Sequence, residues 1–524
     1  MNLSTPCLRA RHTAWRSRFA TALRHIGVCA LLGLQGWPTA QAQDNTSNSA
    51  ALMWQLGPSL SMELKNARWF DGKGFQKGTL WVVDGEFVAK KPAKLHRYMD
   101  LNGQYLVPPL ADAHNHNLAN GWAYERFSQR YLQDGVFYAA MLCTQPSAVA
   151  EVEAKAEELD GPDLVMAASC ITSSDGHPLA AMMGPPDEQG QTPVKREDLQ
   201  DKALILADSV ESVRAQWPKI LQRQKAAESE WITVVMSHHD HPELRARPEM
   251  QGRLGLQPDV VKAIVRLAHA AQLKVNAQVD TVADFAAAVS AGVNQISHLP
   301  GYINQHGFAP QDYLLSPELA QQAARAKVRV VTATASTTLF PTDPTQLEQL
   351  RTVQRHNLKL LHAAGVTLLS GSDLFTGTVM QEWLNLNQLQ ALPSAELLKM
   401  ASITTPQALF PDRRIGCFAP GCEASFLVLV NNPLEQAEAL STPMLRVMQG
   451  ALLTQIEQIA QSAGTEQVLP SRKPVARKPA LKKAKGKKII KGKSKASGKQ
   501  GKASTRASAK GSSKKSGAKN RSSR

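Results

Sequence analysis

The sequence predicts an α/β fold, in which a (β/α)8 TIM-like barrel is accompanied by a small discontinuous β-sandwich and a disordered basic C-terminal tail. Segments typical of strands and helices alternate over roughly 300 residues, which favours a parallel sheet and, at that length, a closed barrel. Short strands joined by turns precede this region and return after it. The last 54 residues contain 21 Lys and Arg and no acidic residue.

The positive charge is concentrated in that tail. The 524-residue chain has a formal net charge of +16, and removing the 21 charges of residues 471–524 leaves −5 for residues 1–470. A basic tail is therefore attached to a mildly acidic globule. Hydrophobic residues make up 43% of the chain, enough to build a large core. Lys, Ala, Ser, Gly and Arg alternate in the tail with little to bury, which predicts disorder.

Residues 1–42 are typical of an export signal. A basic start with five arginines precedes the apolar run IGVCALLGL, and the small residues AQA at 40–42 suit cleavage before Gln43. The apolar run is too short to span a bilayer stably. We therefore expect a periplasmic or secreted protein whose mature chain begins with a linker at 43–57. A disordered basic start followed by a core helix is the alternative.

The remaining elements follow from the periodicity of apolar residues. Residues 58–105 contain SMELKNARWF, the turn DGKG and TLWVVDGEFV, which predict the first part of the sandwich. The barrel is expected at 106–411. Within it, 259–271 has a helical apolar face with Asp259 as its cap, and 282–292 is a helix ended by Gly292. The helix LEQLRTVQRHNLKLLHAAG and the strands LKVNAQVD, VNQISH, KVRVVTATA and VTLLSGSD repeat the scheme. The second part of the sandwich is expected at 412–455, and 456–524 is predicted to be a linker and the Lys-rich tail.

Three predicted strand ends carry side chains that bind metals. His114 and His116 in DAHNH are two residues apart, so a strand would direct both to one face. His298 ends VNQISH, and Asp373 ends LLSGSD, where Gly371 permits close backbone approach. Taken singly, these residues could be a chance pair, a core histidine and a helix cap. Because the strands of a barrel end at one mouth, the four together predict a metal-dependent hydrolase.

The same motifs resemble those of the amidohydrolase superfamily, particularly its imidazolonepropionase-like branch. The resemblance runs from Leu64 to Gln449. It includes, in family-like order, LKNARWFDGKG, DLNGQYLVPPLADAHNH, ITSSDGHP, AAAVSAGVNQISHLPG, AAGVTLLSGSD and IGCFAPGCEASFLVLVNNPLE. It implies a (β/α)8 barrel with a discontinuous β-sandwich and one or two divalent metals. It also implies hydrolysis of C–N bonds in amides, cyclic amides or amino-substituted rings.

Four positions depart from the family pattern. Gln278 stands where this branch has a metal-ligand histidine on the fifth strand, and Thr233 stands where binuclear members have a bridging lysine. Pro108-Pro109 replaces the usual Pro-Gly, and Ser425 replaces the acidic residue of the closing Ala-Asp pair. Glutamine is a weak neutral ligand and threonine cannot become a carbamate. The resemblance therefore implies one metal rather than two.

We accordingly expect His114, His116 and Asp373 to hold one divalent metal, Zn or else Mn or Fe, with a bound water whose pKa falls to roughly 7. Asp373 would accept the proton and deliver it to the leaving nitrogen, and His298 would polarise the substrate carbonyl. Further candidates, as ligands or pocket residues, are Gln278, His177 in DGHP, and the fourth-strand loop histidines His238, His239 and His241. A solvated histidine-rich turn is the alternative for that loop.

Four cysteines remain once the signal is removed. Cys143 ends the predicted second strand and Cys170 the third, and adjacent strands could bring them within bridging distance. Cys417 and Cys422 are five residues apart and could close a small loop. An oxidising compartment permits both disulfides. Buried free thiols are the alternative.

Three functions compete at this stage. The first is a metal-dependent amidohydrolase that acts on a C–N bond other than a peptide bond in a small-molecule substrate. The second is a catalytically inactive member of the fold that serves in binding or in contacts with the cell envelope. The third is a nucleic-acid-binding protein led by its tail. The tail would attract anionic polymers or a membrane surface. It has no interleaved aromatic residue for base stacking, so sequence-specific nucleic-acid recognition is not expected. The sequence leaves the substrate and homo-oligomer formation open.

Overall fold

A computed structural model describes residues 52–54, 61–187, 191–200, 202–303, 309–339 and 343–455. The predicted signal peptide at 1–42 and the predicted linker and tail at 456–524 lie outside the described residues. Among the described residues, no helix combines the length and the apolar character that a membrane crossing requires.

The strands of the described residues belong to two parts of the molecule, a sheet built from both ends of the chain and a central barrel. In chain order they are β1 (Leu52–Trp54), β2 (Met62–Phe70), β3 (Phe75–Val83), β4 (Glu86–Val88), β5 (Arg97–Asp100), β6 (Tyr105–Val107), β7 (Leu110–Asp112), β8 (Val136–Met141), β9 (Asp163–Met166), β10 (Cys170–Thr172), β11 (Leu204–Leu206), β12 (Trp231–Val235), β13 (Lys274–Gln278), β14 (Gln295–Ile296), β15 (Arg329–Val331), β16 (Leu368–Leu369), β17 (Phe426–Leu429), β18 (Leu445–Met448) and β19 (Ala451–Gln455).

Most of the α-helices connect successive barrel strands. They are α1 (Gly121–Gln133), α2 (Pro146–Glu158), α3 (Leu179–Met183), α4 (Arg196–Leu199), α5 (Val210–Ala226), α6 (Pro258–Ala270), α7 (Val282–Ala291), α8 (Pro317–Arg325), α9 (Pro344–Ala363), α10 (Val379–Leu389), α11 (Ser394–Lys399) and α12 (Thr405–Leu409).

The barrel has eight parallel strand positions. The third is divided, because β9 pairs with β8 while β10 pairs with β12. From β12 the sheet continues in order through β13, β14, β15 and β16. Hydrogen bonds from Ala113 N to Ser370 O (2.9 Å) and from Ser372 N to His114 O (3.0 Å) join the first position to the eighth. The predicted (β/α)8 barrel is confirmed, and its closure brings the two ends of the barrel sequence together.

The second sheet combines strands from the two predicted sandwich segments. Its order is β1-β19-β18-β17-β6-β2-β3-β4, with β5 paired to β2. In β17 the side chains alternate: Phe426 and Val428 join the apolar cluster of this sheet, whereas Leu427 and Leu429 pack into the barrel core. This period of two is what a strand buried on both faces requires. The sheet is therefore fixed to the barrel by apolar burial.

Local predictions in these elements have mixed outcomes. Gly292 ends α7 in the left-handed conformation, with φ of +85°, as predicted. Asp259 is not the cap of α6, which is a correction. Pro258 takes the first helical position and Gln257 the cap, so Asp259 falls in the first turn. The linker predicted at 43–57 also needs correction, because Leu52–Trp54 pairs with β19 as a strand.

Both cysteine pairs form disulfides. Cys143 is bonded to Cys170, and Cys417 is bonded to Cys422. Cys170 begins β10 rather than ending the third strand, because the third barrel position is broken after β9. The first disulfide therefore ties the loop after β8 to the second half of the third position. The alternative of four free thiols is wrong.

Candidate functional site

The first barrel strand delivers two histidines to the mouth. β7 ends at Asp112, and His114 and His116 follow it in the loop. Both side chains reach the same carboxylate oxygen: His114 Nε2 lies 3.1 Å and His116 Nε2 lies 2.8 Å from Asp373 Oδ1. His116 also stacks on the exposed ring of Phe375, with centroids 5.1 Å apart. The two histidines therefore converge as the spacing predicted, although they lie beyond the strand.

The eighth strand brings Asp373 to this point through an unusual backbone. Asp373 has φ of +52°, a conformation that non-glycine residues adopt at a cost. Its N–H donates to His114 O at 2.8 Å. A side chain at Gly371 would meet the backbone N of His114 at 3.0 Å, as well as Val331. Glycine is therefore needed for the close approach of the two loops, as predicted.

His298 completes the cluster from the opposite wall. Its Nε2 lies 3.2 Å from His114 Nε2 and 3.7 Å from Asp373 Oδ2. Its ring stacks on Tyr302 with centroids 4.1 Å apart, and Tyr302 OH donates to Asp280 Oδ1 at 3.2 Å. The four residues that the sequence placed at three different strand ends thus form one contiguous group.

Burial and mutual contact shift the pKa values of these four side chains. Burial lowers the pKa of His114 to about 4. Burial alone would raise the pKa of Asp373, but the charge of His298 and hydrogen bonds from the histidines hold it well below its usual range. Burial opposes the protonation of His298, yet the Asp373 carboxylate raises the pKa of that ring. The cluster therefore contains an ionised carboxylate facing imidazole nitrogens.

The donor set fits a small divalent cation. Four tetrahedral nitrogen and oxygen ligands bound at 2.0–2.1 Å would lie about 3.3 Å from one another. The separations of 3.1 Å between His114 and Asp373 and of 3.2 Å between His114 and His298 are close to that value, and His116 lies 2.8 Å from the same Asp373 oxygen but outside the group whose ligand atoms are all mutually close. His114, His298 and Asp373 offer ligand atoms that all lie within 4.8 Å of one another. Imidazole and carboxylate are also the ligand types that Zn and similar ions take.

A cavity of about 60 Å³ adjoins the cluster. It is lined by His177, Val235, Met236, His238, Arg253, Gln278, Asp280, His298, Tyr302, Ile303 and Tyr313. Among the four clustered residues, His298 alone lines it. Gln278 is 3% exposed, and its Oε1 is buried without a hydrogen-bond partner. An unpaired acceptor beside a cavity is the kind of group that a ligand donor would satisfy.

The other candidate residues have different positions. His177 lines the cavity, and burial lowers its pKa to about 4. Thr233 donates to Leu142 O inside the barrel. His239 is not part of the group around His114, which corrects its place among the candidate ligands. Its Nδ1 lies 2.6 Å from Asp284 Oδ1, because that carboxylate is buried at the start of α7 and binds the loop.

His238 and His241 also lie apart from the group around His114. His238 lines the cavity, with Nε2 3.7 Å from Asp280 Oδ2. His241 Nδ1 lies 3.1 Å from the exposed Glu243. His241 is itself half-buried, with Nε2 shielded from solvent, and His238 and His239 are committed to contacts in the fold, so none of the three histidines matches the solvated alternative.

Sequence reasoning missed Asp112 and Tyr302. Asp112 is buried and accepts hydrogen bonds from His114 N (3.3 Å), Ser372 N (2.9 Å) and Ser372 Oγ (2.7 Å). The acidic residue two positions before His114 was an available signal. Tyr302 carried no comparable signal, because its role depends on stacking across the loop after β14.

A barrel with an acid–histidine cluster at its strand ends and an adjoining cavity defines a candidate metal-hydrolase centre. The chain belongs to the amidohydrolase family, whose sequence model matches residues 105–450. Members of this family are generally metal-dependent hydrolases. A search of curated proteins finds no match. The imidazolonepropionase-like branch stays a prediction.

Solved structures share the fold. The chain is similar to A. niger ochratoxinase, with a TM-score of 0.58 and 18% identity over 76% of this chain and 96% of that one. It is similar to a prolidase complexed with N-methylphosphonate-L-proline, with a TM-score of 0.57 and 20% identity over 75% of this chain and 100% of that one. For molinate hydrolase the TM-score is 0.57 and the identity 13%, over 80% of this chain and 100% of that one.

Proposed function

We propose that this protein is a metal-dependent hydrolase that cleaves a C–N bond with a metal-activated water, at a site for a single divalent ion. The observation that carries the proposal is the convergence of His114, His116 and Asp373, with both histidine nitrogens within 3.1 Å of one carboxylate oxygen. Family membership supports a hydrolase. The absence of a ligand histidine at Gln278 and of a lysine at Thr233 supports one ion rather than two.

The roles follow from the contacts within the cluster and from the position of His298, which alone of the four lines the cavity. When bound, a divalent ion would lower the pKa of water to about 7 and so supply a nucleophile at neutral pH. His114 and His116 would hold the ion together with Asp373. Asp373 Oδ2 points toward His298 at 3.7 Å, and this oxygen would take the proton and pass it to the leaving nitrogen. His298, which lines the cavity, would orient the substrate carbonyl.

For the substrate we propose an amide or related C–N bond other than a peptide bond. Among similar folds, one neighbour is called a molinate hydrolase and another a phenylurea hydrolase. Prolidase neighbours are named for peptide-type bonds. A substrate panel should therefore contain both kinds of bond. We propose Zn as the ion, because imidazole and carboxylate are its usual ligands, and Mn and Fe as the other candidates.

Metal content tests this proposal directly. The purified protein, His114→Ala and the control His362→Ala are dialysed against metal-free buffer and then analysed by mass spectrometry for bound metal. His362 is an exposed residue of α9. We expect about one ion per chain in the wild type and in the control, and at least a tenfold loss of affinity in His114→Ala. Absence of stoichiometric metal in the wild type, even after incubation with Zn or Mn, would contradict the proposal.

The second candidate is a catalytically inactive binding protein with the same fold. The observation that favours it is the replacement of two family positions by Gln278 and Thr233, the latter bonded to Leu142 O within the barrel wall. A substrate screen with and without added Zn or Mn distinguishes the two. Metal binding without turnover of any amide, urea or dipeptide in the screen would favour this candidate.

We also propose that the protein is exported and that its tail acts outside the cytoplasm. The two disulfides support export, because disulfides persist in oxidising compartments. The 21 basic residues at 471–524 would bind anionic polymers or membrane head groups in a salt-dependent manner. Fractionation of producing cells, with a blot for the protein, tests the location.

A further inference from the structure

The side chain of Gln278 is held at the cavity by a rigid part of the barrel. Gln278 is the last residue of β13 and lies opposite Val235 of β12. Its carbonyl oxygen accepts from Met236 N at 2.8 Å, and on the other side of the strand Ser297 N donates to Ala277 O at 2.8 Å. A side chain on a fixed strand loses little further freedom when it binds a ligand. The barrel therefore presents this carboxamide to the cavity that it lines.

The carboxamide of Gln278 is buried, and its oxygen is unsatisfied. Gln278 is 3% exposed. Its Oε1 is shielded from solvent and accepts no hydrogen bond from the residues that the structure describes. A buried acceptor without a donor destabilises the folded protein, whereas an apolar side chain of the same shape would not. The polar end of this side chain is therefore not explained by the fold.

Two neighbouring hydroxyl groups donate to Asp280 rather than to Gln278. Tyr302 OH donates to Asp280 Oδ1 at 3.2 Å, and Ser237 Oγ donates to Asp280 Oδ2. His238 Nε2 lies 3.7 Å from the same Oδ2. Asp280 and Gln278 both line the cavity, but the carboxylate is supplied with donors and the amide oxygen is not. A molecule bound in the cavity is the remaining source of a donor for Gln278.

The chemistry of this oxygen indicates which donor it would take. A cationic group would pair with the Asp280 carboxylate, because hydrogen bonds between charged groups are the stronger ones. A neutral amide oxygen is matched by a neutral donor such as an amide N–H. The terminal torsion of glutamine is broad, so Oε1 can turn toward a donor in the cavity. A substrate that offers its carbonyl to His298 and its N–H to Gln278 would use both cavity residues.

We propose that Gln278 is a specificity-determining residue that accepts a hydrogen bond from the N–H of the scissile C–N bond. The substrates are then amides, carbamates or ureas that carry a hydrogen on that nitrogen. Bonds to the nitrogen of proline, which has no hydrogen once acylated, are excluded, although prolidases share the fold.

The inference rests on the proposed hydrolase function for the cleavage step. In that step the water oxygen bonds to the carbonyl carbon, the C–N bond breaks, and the nitrogen takes one proton from the water. An acid and an amine are released. Gln278 binds the N–H and exchanges no proton, so its part can be measured by binding alone.

A matched pair of small ligands tests the binding step. N-methylacetamide and methyl acetate have nearly the same shape and suit a cavity of about 60 Å³, but the ester has an oxygen in place of the N–H. Dissociation constants are measured by ligand-detected NMR on the full-length protein, metal-free and Zn-loaded. We expect the wild type to bind the amide about 10- to 100-fold more tightly than the ester. Gln278→Met should bind the two ligands within about twofold of each other. Gln322→Met, at an exposed position of α8, is the control and should keep the wild-type preference.

Thermal unfolding of the ligand-free variants shows whether the carboxamide serves the fold instead. Gln278→Met should unfold at the wild-type temperature or above it, because it removes an unsatisfied buried acceptor. A midpoint clearly below those of the wild type and Gln322→Met would mean that the carboxamide stabilises the barrel, and would overturn the inference. Equal binding of the amide and the ester by the wild type would also overturn it.

Hydrolysis of acetanilide and N-methylacetanilide separates this inference from the proposed function. The metal-loaded wild type should hydrolyse acetanilide with a kcat/KM at least about tenfold higher, and Gln278→Met should bring the ratio of the two values closer to one. Equal hydrolysis of both anilides by the wild type supports the hydrolase proposal and refutes the N–H requirement. If the preference for N-methylacetamide depends on Gln278 while no anilide is hydrolysed with any metal, recognition of the N–H stands and the hydrolase proposal fails.

Discussion

Asp112 joins the first and eighth strand ends, and its removal should both destabilise the barrel and displace the metal ligands. The residue is fully buried, and one oxygen accepts from the backbone N–H groups of His114 and Ser372. The other accepts from Ser372 Oγ and from Tyr131 OH at 3.4 Å. Asp112→Ala deletes all four acceptor contacts at once.

The magnitude follows from which donors have another acceptor. Ser372 N keeps its bond to His114 O, and Tyr131 OH keeps its bond to Asn117 Oδ1. His114 N has no second acceptor among the described residues, and the only other acceptor of Ser372 Oγ among them is His114 O, at 3.5 Å. Two buried donors left unsatisfied at roughly 1–3 kcal/mol each predict a loss of about 2–6 kcal/mol. Asp112→Asn, which keeps the oxygen for both backbone N–H groups, should lose about 1 kcal/mol.

Urea-induced unfolding and metal titration measure the two effects. Asp112→Ala should shift the urea midpoint by the amount that corresponds to this loss, and should weaken metal affinity about 10- to 100-fold because His114 is no longer held in place. The control is Asp259→Ala in the exposed first turn of α6, which should cost less than about 1 kcal/mol. If Asp112→Ala were no less stable than Asp259→Ala, the argument from unsatisfied donors would be wrong.

Three further outcomes are expected. Burial raises the pKa of Glu382 from 4.5 to about 7, so the folded protein favours the protonated carboxyl group. The contribution of Glu382 to stability should therefore fall as pH rises from 4.5 to 7, by up to about 3 kcal/mol, and the difference in urea unfolding between wild type and Glu382→Gln should show that slope. Removing the Cys143–Cys170 disulfide, whose sequence separation is 27, should lower the free energy of unfolding by about 3–4 kcal/mol; thermal unfolding of the double serine variant checks this. Deleting 471–524 should abolish salt-dependent retention on heparin and leave hydrolysis unchanged, and a loss of hydrolysis would link tail and site.

The elements that were predicted correctly are those with strong local periodicity. The helix at 282–292 ends at Gly292 because glycine adopts the left-handed backbone conformation at little free-energy cost. That cost depends on the residue type alone, so the sequence is enough to predict it. Asp259 was assigned wrongly as a cap because the pattern ignores the preference of Pro258 for the first helical position. The strand at Leu52–Trp54 was missed because its partner β19 lies about 400 residues away in the chain.

The candidate site could likewise be predicted only in part from the sequence. The identities and spacing of His114, His116, His298 and Asp373 were enough to predict that they meet, since barrel strands end at one mouth. The spacing could not decide their distances, nor that His239 binds Asp284 instead. Those outcomes depend on the loops, whose conformations are set by contacts between distant segments.

The sequence by itself thus determined the barrel, the two-part sheet and the chemical types of the site residues, because periodicity and residue identity are local properties of the chain. Only the tertiary structure decided which oxygen of Asp373 both histidines contact and that Asp112 links the first strand to the eighth. Only it decided that Gln278 Oε1 is buried beside the cavity without a hydrogen-bond partner. These are relations between segments far apart in the chain, and they arise only when the barrel closes and its loops pack on one another.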